Sequence, residues 1–146
     1  MDEIDHQIIM LLQKDSKTSM THLGKQISLS QPAVTERVRK LEEKSIIEGY
    51  KAVVNRKKIN KSITGFLLFQ AKNCTDFVSY CEEVEDVLEI YRISGQYNFL
   101  VKIVAETLED LESLVNDLGR YGESTTLVVL STPIENRPIV PSALLE

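Results

Sequence analysis

The stretch Leu29-Ser30-Gln31-Pro32-Ala33-Val34-Thr35-Glu36-Arg37-Val38-Arg39-Lys40-Leu41-Glu42 decides how the first third of this chain folds. Val34, Val38 and Leu41 are spaced by four and then three residues, which puts them on one helical stripe. Ser30 stands where an N-cap is favoured, and Pro32 falls in a first turn whose N–H groups have no partner inside a helix. With that stripe buried and about 100° of turn per residue, Pro32, Thr35, Glu36, Arg39 and Lys40 point outward.

Upstream of this helix the pattern is helical twice more. Ile4, Ile8, Leu11 and Leu12 follow an acidic start (Asp2, Glu3, Asp5) that suits a helix N-terminus, and Asp15-Ser16 ends the run. Ser19 can cap a second helix with Met20, Leu23 and Ile27 inward, although His22 stands where a capping box would place Glu. Only Ser28-Leu29-Ser30 separates that helix from the third. Downstream, Ile46 to Val54 reads as a glycine-containing extended ribbon. Three helices, a three-residue turn and a ribbon predict a winged helix-turn-helix over residues 1–54. Its third helix, 31–44, has the dimensions to enter the major groove of double-stranded DNA. On this reading Gln31, Pro32, Thr35, Glu36 and Arg39 face base edges, with Glu36 able to accept from cytosine. Lys25, Ser30, Arg37 and Lys40 are expected at phosphates. The alternative is a solvated face on which Glu36–Lys40 and Arg39–Glu43 are i,i+4 pairs. Arg37 also lies beside the buried stripe, where an internal ion pair is the competing role.

Composition divides the chain in the same way. The 146 residues are 42% hydrophobic and 27% charged, ordinary for a globular protein, with a net charge of −5. That average hides an asymmetry: residues 1–60 hold 11 Lys and Arg against 8 Asp and Glu, whereas residues 61–146 hold 6 against 14. The first module is therefore the one expected to face something anionic. No apolar run suits a membrane span, and the start Met1-Asp2-Glu3 lacks a basic and then apolar leader, so a cytoplasmic protein is expected. Cys74 and Cys81, two helical turns and about 10 Å apart, are expected as reduced packing thiols.

Residues 55–62 are polar and basic without an apolar period and read as a linker. Beyond it the pattern is β-rich at 63–71, helical through Phe77, Cys81 and Val84, and β-branched at 87–94. It then turns at Gly95-Gln96 and alternates at 99–105. Thr107 and Asp110 form a capping-box pattern before Leu108, Leu111, Leu114, Val115 and Leu118, and Thr125–Thr132 closes the run. The order β-α-β-β-α-β predicts a ferredoxin-like domain over 63–135, an α+β chain overall, and an extended arm over 136–146 with Pro138 and Pro141.

With these elements in place, three stretches resemble the Lrp/AsnC (feast/famine) family: Asp5-His6-x-Ile8-Ile9-x-Leu11-Leu12, Leu29-Ser30-x-Pro32-Ala33-Val34-x-x-Arg37-Val38-x-x-Leu41-Glu42 and Ile47-x-Gly49-Tyr50. Ser94-Gly95-Gln96-Tyr97-Asn98-Phe99-Leu100 is similar to that family's Gly-x-Tyr-Asp-x-x-Leu turn. The resemblance spans about residues 2–135. It implies a DNA-binding domain hinged to an effector and oligomerisation domain, dimers formed by back-to-back sheets, and tetramers or octamers able to wrap DNA. It also implies amino-acid effectors bound between dimers, with Gly95, Tyr97 and Asn98 at the effector site and Leu127 and Val129 as apolar neighbours. Asn98 replaces the family's Asp and removes a carboxylate that can orient an ammonium group, so amino-acid binding is expected to be weaker, altered or absent. An outward Arg92 can meet a ligand carboxylate instead. The competing reading is a hairpin in which Gly95 supplies a special backbone angle and Tyr97 packs at a dimer contact.

An enzyme is not expected. His6 and His22 have no metal-ligand spacing, and no nucleophile elbow, phosphate-binding Gly-x-x-x-x-Gly-Lys or Cys-x-x-Cys is present. Neither a metal nor a cofactor beyond an amino-acid effector is implied. Three functions remain in order: a ligand-responsive transcription regulator of the nucleoid, an architectural DNA-bending protein with little effector response, and an amino-acid-sensing module whose helix-turn-helix binds protein.

Overall fold

Ile8, Leu12, Leu23, Val34, Val38 and Leu41 form one buried cluster in a computed structural model of the chain, which describes residues 1–142. These are the inward stripes of α1 (Glu3–Lys14), α2 (Met20–Gln26) and α3 (Gln31–Glu43). Asp2 caps α1 in a full capping box with Asp5, and Ser19 Oγ accepts from the His22 N–H at 3.1 Å. Ser30 occupies the N-cap of α3, but its hydroxyl makes no cap hydrogen bond, contrary to the sequence reading. Pro32 in that first turn has no N–H to offer, so one of the usual orphan donors is missing there.

The turn between α2 and α3 depends on two backbone features. Ser28 takes a left-handed conformation (φ 57°), and the Leu29 N–H donates back to the Gly24 carbonyl at 2.9 Å. A Cβ on Gly24 would lie 2.5 Å from the Leu29 carbonyl oxygen, a backbone atom that cannot rotate away. Gly24→Ala is therefore expected to cost about 1–3 kcal/mol through overpacking and to displace α3, seen as a lower Tm for the first unit.

The expected ribbon over 46–54 does not form. Among the described residues no strand lies between α3 and Ile63, because Ile46–Val54 has no partner strand with which to make a ladder. The segment is held to α3 by a side chain: the Tyr50 hydroxyl donates to Glu42 at 2.8 Å. Desolvation, aided by that carboxylate, pushes the phenol up to about 12, so it stays protonated and donating.

The second unit has the predicted order: β1 (Ile63–Ala71), α4 (Cys74–Glu82), β2 (Val87–Arg92), β3 (Phe99–Ala105), α5 (Leu108–Leu118) and β4 (Gly122–Val128). The strands lie β2-β3-β1-β4, each neighbouring pair antiparallel. Alternation along β1 buries Leu67, Phe69 and Ala71 beneath α4 and α5, where Phe77, Cys81, Leu111 and Leu118 complete a single core. The opposite face carries Phe66, Leu68, Leu100, Tyr91 and Leu127, none of them fully buried.

The last strand starts and ends three or four residues earlier than the expected 125–132. Its ladder with β1 ends at Gly65 opposite Val128; beyond it the Val129 N–H still reaches Thr64 O at 2.9 Å, and Leu130 is 96% exposed. Gly122 opens the strand against Gln70 O, where a Cβ would be 2.0 Å away. Within the stretch read as a linker, Arg56–Ile59 forms a 3-10 turn capped by Asn55, and Lys61 pairs with Asp86 at 2.7 Å. The chain divides into two compact units, one of Met1–Val53 plus the residues from Ile134 on, the other of Val54–Pro133. The arm thus groups with the helix-turn-helix; its last four residues, 143–146, lie outside the described residues.

Candidate functional site

In the first unit, α3 presents its outward face as the sequence implies. Gln31, Pro32, Thr35, Glu36, Arg39 and Lys40 are all exposed, as are Lys25 and Ser30. Thr35 Oγ1 donates to the Gln31 carbonyl at 2.9 Å, which fixes the rotamer and leaves the methyl group outward, the group suited to a thymine methyl.

The charges on this face are already paired. Arg39 grips Glu36 with Nε at 2.9 Å and Nη2 at 2.7 Å, and also bridges to Glu43; Lys40 lies 3.6 Å from Glu36. Hydrogen bonds from Arg39 hold the Glu36 carboxyl down at about 2, so it is an anion, able only to accept, throughout the physiological range. These pairs are exposed, so each is weak and readily exchanged for another partner.

Arg37 is used differently. Its Nη1 reaches Asp2 at 2.8 Å and Asp5 at 2.7 Å, and the two carboxylates raise its already high pKa. The Asp5 N–H, with Arg37, holds Asp2 below the usual carboxylate range. Arg37 is thus a strut tying α3 to the start of α1, the internal role the helical angle allowed.

The residues carried over to the effector turn are partly assembled. Gly95 sits at φ 120°, with open space where a Cβ would be. Tyr97 Oη lies 2.8 Å from Thr125 Oγ1, which joins the β2–β3 turn to β4. Leu127, two residues along that strand, shares the face of Thr125 and lies opposite Phe66; Val129 continues the alternation just past the strand end. Arg92 rests over the Phe99 ring at 5.7 Å. Asn98 is engaged internally: Oδ1 accepts from Ala71 N–H at 2.9 Å, and Nδ2 donates to Ala71 O at 3.2 Å and to Cys74 Sγ at 3.7 Å. Its backbone also donates to Phe69 O at 3.0 Å and accepts from Ile93 N–H at 3.1 Å. An aspartate could accept from Ala71 N–H but could not donate to its carbonyl.

Sequence reading missed the Asn98–Ala71 pair and, although it offered an internal ion pair for Arg37, did not name Asp2 and Asp5 as its partners. The Asp2-x-x-Asp5 spacing is a capping-box signal that could have revealed them. Among the described residues no group of three or more His, Cys, Asp or Glu is placed to hold a metal ion, and no helix is long and apolar enough to cross a membrane.

Comparison with known proteins agrees with both halves of this geometry. Residues 1–42 match an AsnC-type helix-turn-helix domain and residues 67–139 an Lrp/AsnC ligand binding domain. The chain is 41% identical over 132 residues to the HTH-type transcriptional regulator YezC of Bacillus subtilis, covering 90% of this chain and 95% of that one. The solved structure of Bacillus subtilis LrpC superposes with a TM-score of 0.88 at 38% identity, covering 94% and 99% of the two chains. A transcriptional regulator of Neisseria meningitidis, NMB0573, solved as a complex with L-Met, shares the fold at a TM-score of 0.89 and 19% identity, covering 95% and 96%. Two domain matches in the right order, with 41% identity across nine-tenths of the length, place this chain in the Lrp/AsnC family of helix-turn-helix transcriptional regulators.

Proposed function

We propose that the chain regulates transcription by laying the N-terminal half of α3 in the DNA major groove, with Gln31, Pro32, Thr35, Glu36 and Arg39 at base edges and Lys25, Ser30 and Lys40 at phosphates. The observation that carries this is the exposed face of α3 behind a fully buried Val34–Val38–Leu41 stripe. Ser30 supports it further, since its hydroxyl makes no cap bond and is positioned at a helix N-terminus, where an anionic oxygen is favoured. Arg37 is left out of the phosphate set because it braces α3.

The second unit, on this proposal, makes dimers and larger multimers. A two-layer α/β unit leaves one sheet face uncovered, and here that face carries Phe66, Leu68, Leu100, Tyr91 and Leu127. A second copy covers such a face back to back. A multimer brings several reading helices to one DNA, which offsets the roughly 1–6 kcal/mol needed to bend 20–30 base pairs. Such a protein would act in the cytoplasm, at the nucleoid, without catalysing a reaction.

For an effector, the L-Met complex of NMB0573 supports an amino acid, with Gly95, Tyr97, Arg92, Leu127 and Val129 at its site. Asn98 acts there by shaping the turn, since both ends of its amide are engaged by Ala71. That same engagement favours the second reading, an architectural protein with little effector response. A thermal-unfolding panel against the twenty amino acids separates the two. A sensor is stabilised by about 2.7 kcal/mol when its ligand is present at 100 times Kd. No shift with any amino acid, alongside intact DNA binding, leaves the architectural role.

A further inference from the structure

The second unit is acidic as a whole, yet its cations are not spread evenly. Residues 54–133 hold 12 Asp and Glu against 8 Lys and Arg, and four of those eight are Arg56, Lys57, Lys58 and Lys61. From Gly49 to Thr75 the sequence has no Asp or Glu at all. The basic cluster therefore has no acidic neighbour along the chain to neutralise it.

The structure fixes the shape of this cluster. The Asn55 side chain accepts from the Lys58 N–H at 3.3 Å, and the Asn55 carbonyl accepts from the same N–H at 3.0 Å. Asn60 turns left-handed (φ 61°), which brings the Lys61 N–H back to the Arg56 carbonyl at 2.9 Å. The four cations then divide into two pairs. Lys61 is spent on Asp86 at 2.7 Å. Arg56 is half-buried, and its charge joins the Tyr91 hydroxyl and Lys102 in holding the Glu89 carboxyl below its usual range. Lys57 and Lys58 are both exposed, and among the described residues neither ammonium has an ion-pair partner. Two of the cations serve their own unit, and two are presented outward from a capped turn.

We propose that Lys57 and Lys58 form a second DNA-backbone site, on the unit that does not carry α3. Adjacent residues on a 3-10 turn have Cα atoms about 3.8 Å apart and point roughly 120° from each other, so their long stems can reach successive phosphates of one strand. The contact is to phosphate alone and carries no sequence information. A membrane surface fits less well, since segments that hold anionic lipid bring about 4–8 basic residues together. The site rests on the DNA-binding reading above. It adds to the phosphates neutralised per chain whether the turn grips DNA read by its own protomer or by a neighbour.

The test compares full-length wild type with Lys57→Gln, Lys58→Gln, their double variant and Lys72→Gln. Lys72 is also exposed on the second unit but lies past the far end of β1, roughly 30 Å along the strand from Ile63. The slope of log K against log salt is expected to become shallower by about 0.9 in each turn variant and by about 1.8 in the double. At about 0.15 M salt the double variant is expected to bind tenfold or more weakly, equally on a preferred and on a random duplex. Lys72→Gln is expected to bind as wild type, and Tm and multimer mass are expected to stay unchanged throughout. A wild-type slope in the double variant overturns the site, as does a Lys72→Gln effect equal to that of Lys57→Gln, which marks net charge alone. Loss of site preference also overturns it. A fall in multimer mass does so too, because the turn then grips the acidic surface of a second copy. Wild-type protein that binds no duplex overturns the functional reading beneath the proposal, a failure visible without any variant.

Discussion

Phe77→Ala is expected to destabilise the second unit by about 3–5 kcal/mol, a large share of what a domain of this size has to spare. Phe77 is fully buried on α4, stacks on Phe69 with centroids 4.1 Å apart and a 12° interplanar angle, and contacts Phe99 at 5.2 Å. It also approaches Tyr121 at 6.4 Å, so it joins β1, β3 and the turn after α5 at one point. The cavity left by its removal cannot close, because Phe69 and Phe99 are held by paired strands at fixed register. The first unit has a separate core, so unfolding of the variant is expected in two steps, the helix-turn-helix signal persisting after the sheet signal is lost. Denaturant unfolding followed by exchange at β1 and at α3 reads both. A loss below about 1 kcal/mol would contradict this packing.

The second large effect concerns function. The triple variant Gln31→Ala, Thr35→Ala, Arg39→Ala is expected to lose at least about 100-fold in affinity for its preferred sites, since good base contacts are worth about 1–3 kcal/mol each and neighbours on one helix do not add fully. Its stability should stay within about 0.5 kcal/mol of wild type, because all three side chains are exposed. Arg39 has a further effect: without it, Glu36 keeps only Lys40 at 3.6 Å and Glu43 loses its Arg39 partner, so the face becomes more negative. Restoring charge by Glu36→Gln in the triple background is therefore expected to recover part of the non-specific binding but none of the site preference. Competition between a preferred duplex and random DNA measures both. Unchanged preference in the triple variant would show that α3 does not read bases.

How much of this could be read from sequence follows from the range of each interaction. The helices and strands were legible because their signal is local period: Val34–Val38–Leu41 for α3, Leu67–Phe69–Ala71 for β1. The Thr107–Asp110 box marked α5 to the residue. The outward face of α3 followed from the same period, so most of the proposed DNA surface was visible in the sequence alone. What escaped depends on partners distant in sequence. Ile46–Val54 has ribbon composition, but a ribbon also needs a second strand, which composition does not report. The β4 ladder stops at Val128, opposite Gly65, although the β-branched run continues through Val129 and β1 itself reaches back to Ile63; local composition does not report that stop. The resemblance places Asn98 at the effector site, and no pattern in the sequence signals that its amide pairs with Ala71, 27 residues upstream. The Gln13–Ile139 contact spans 126 residues and involves only backbone on one side, so no side-chain pattern announces it.

The central claim, that a basic first module docks an overall acidic chain on DNA, is tested most directly by the salt dependence of duplex binding. A linear fall of log K with log salt is expected, with a slope near −0.9 for each phosphate neutralised, made shallower by about that much when Lys25 or Lys40 is changed to alanine. Binding whose affinity does not change with salt, or a slope indifferent to both substitutions, would contradict it.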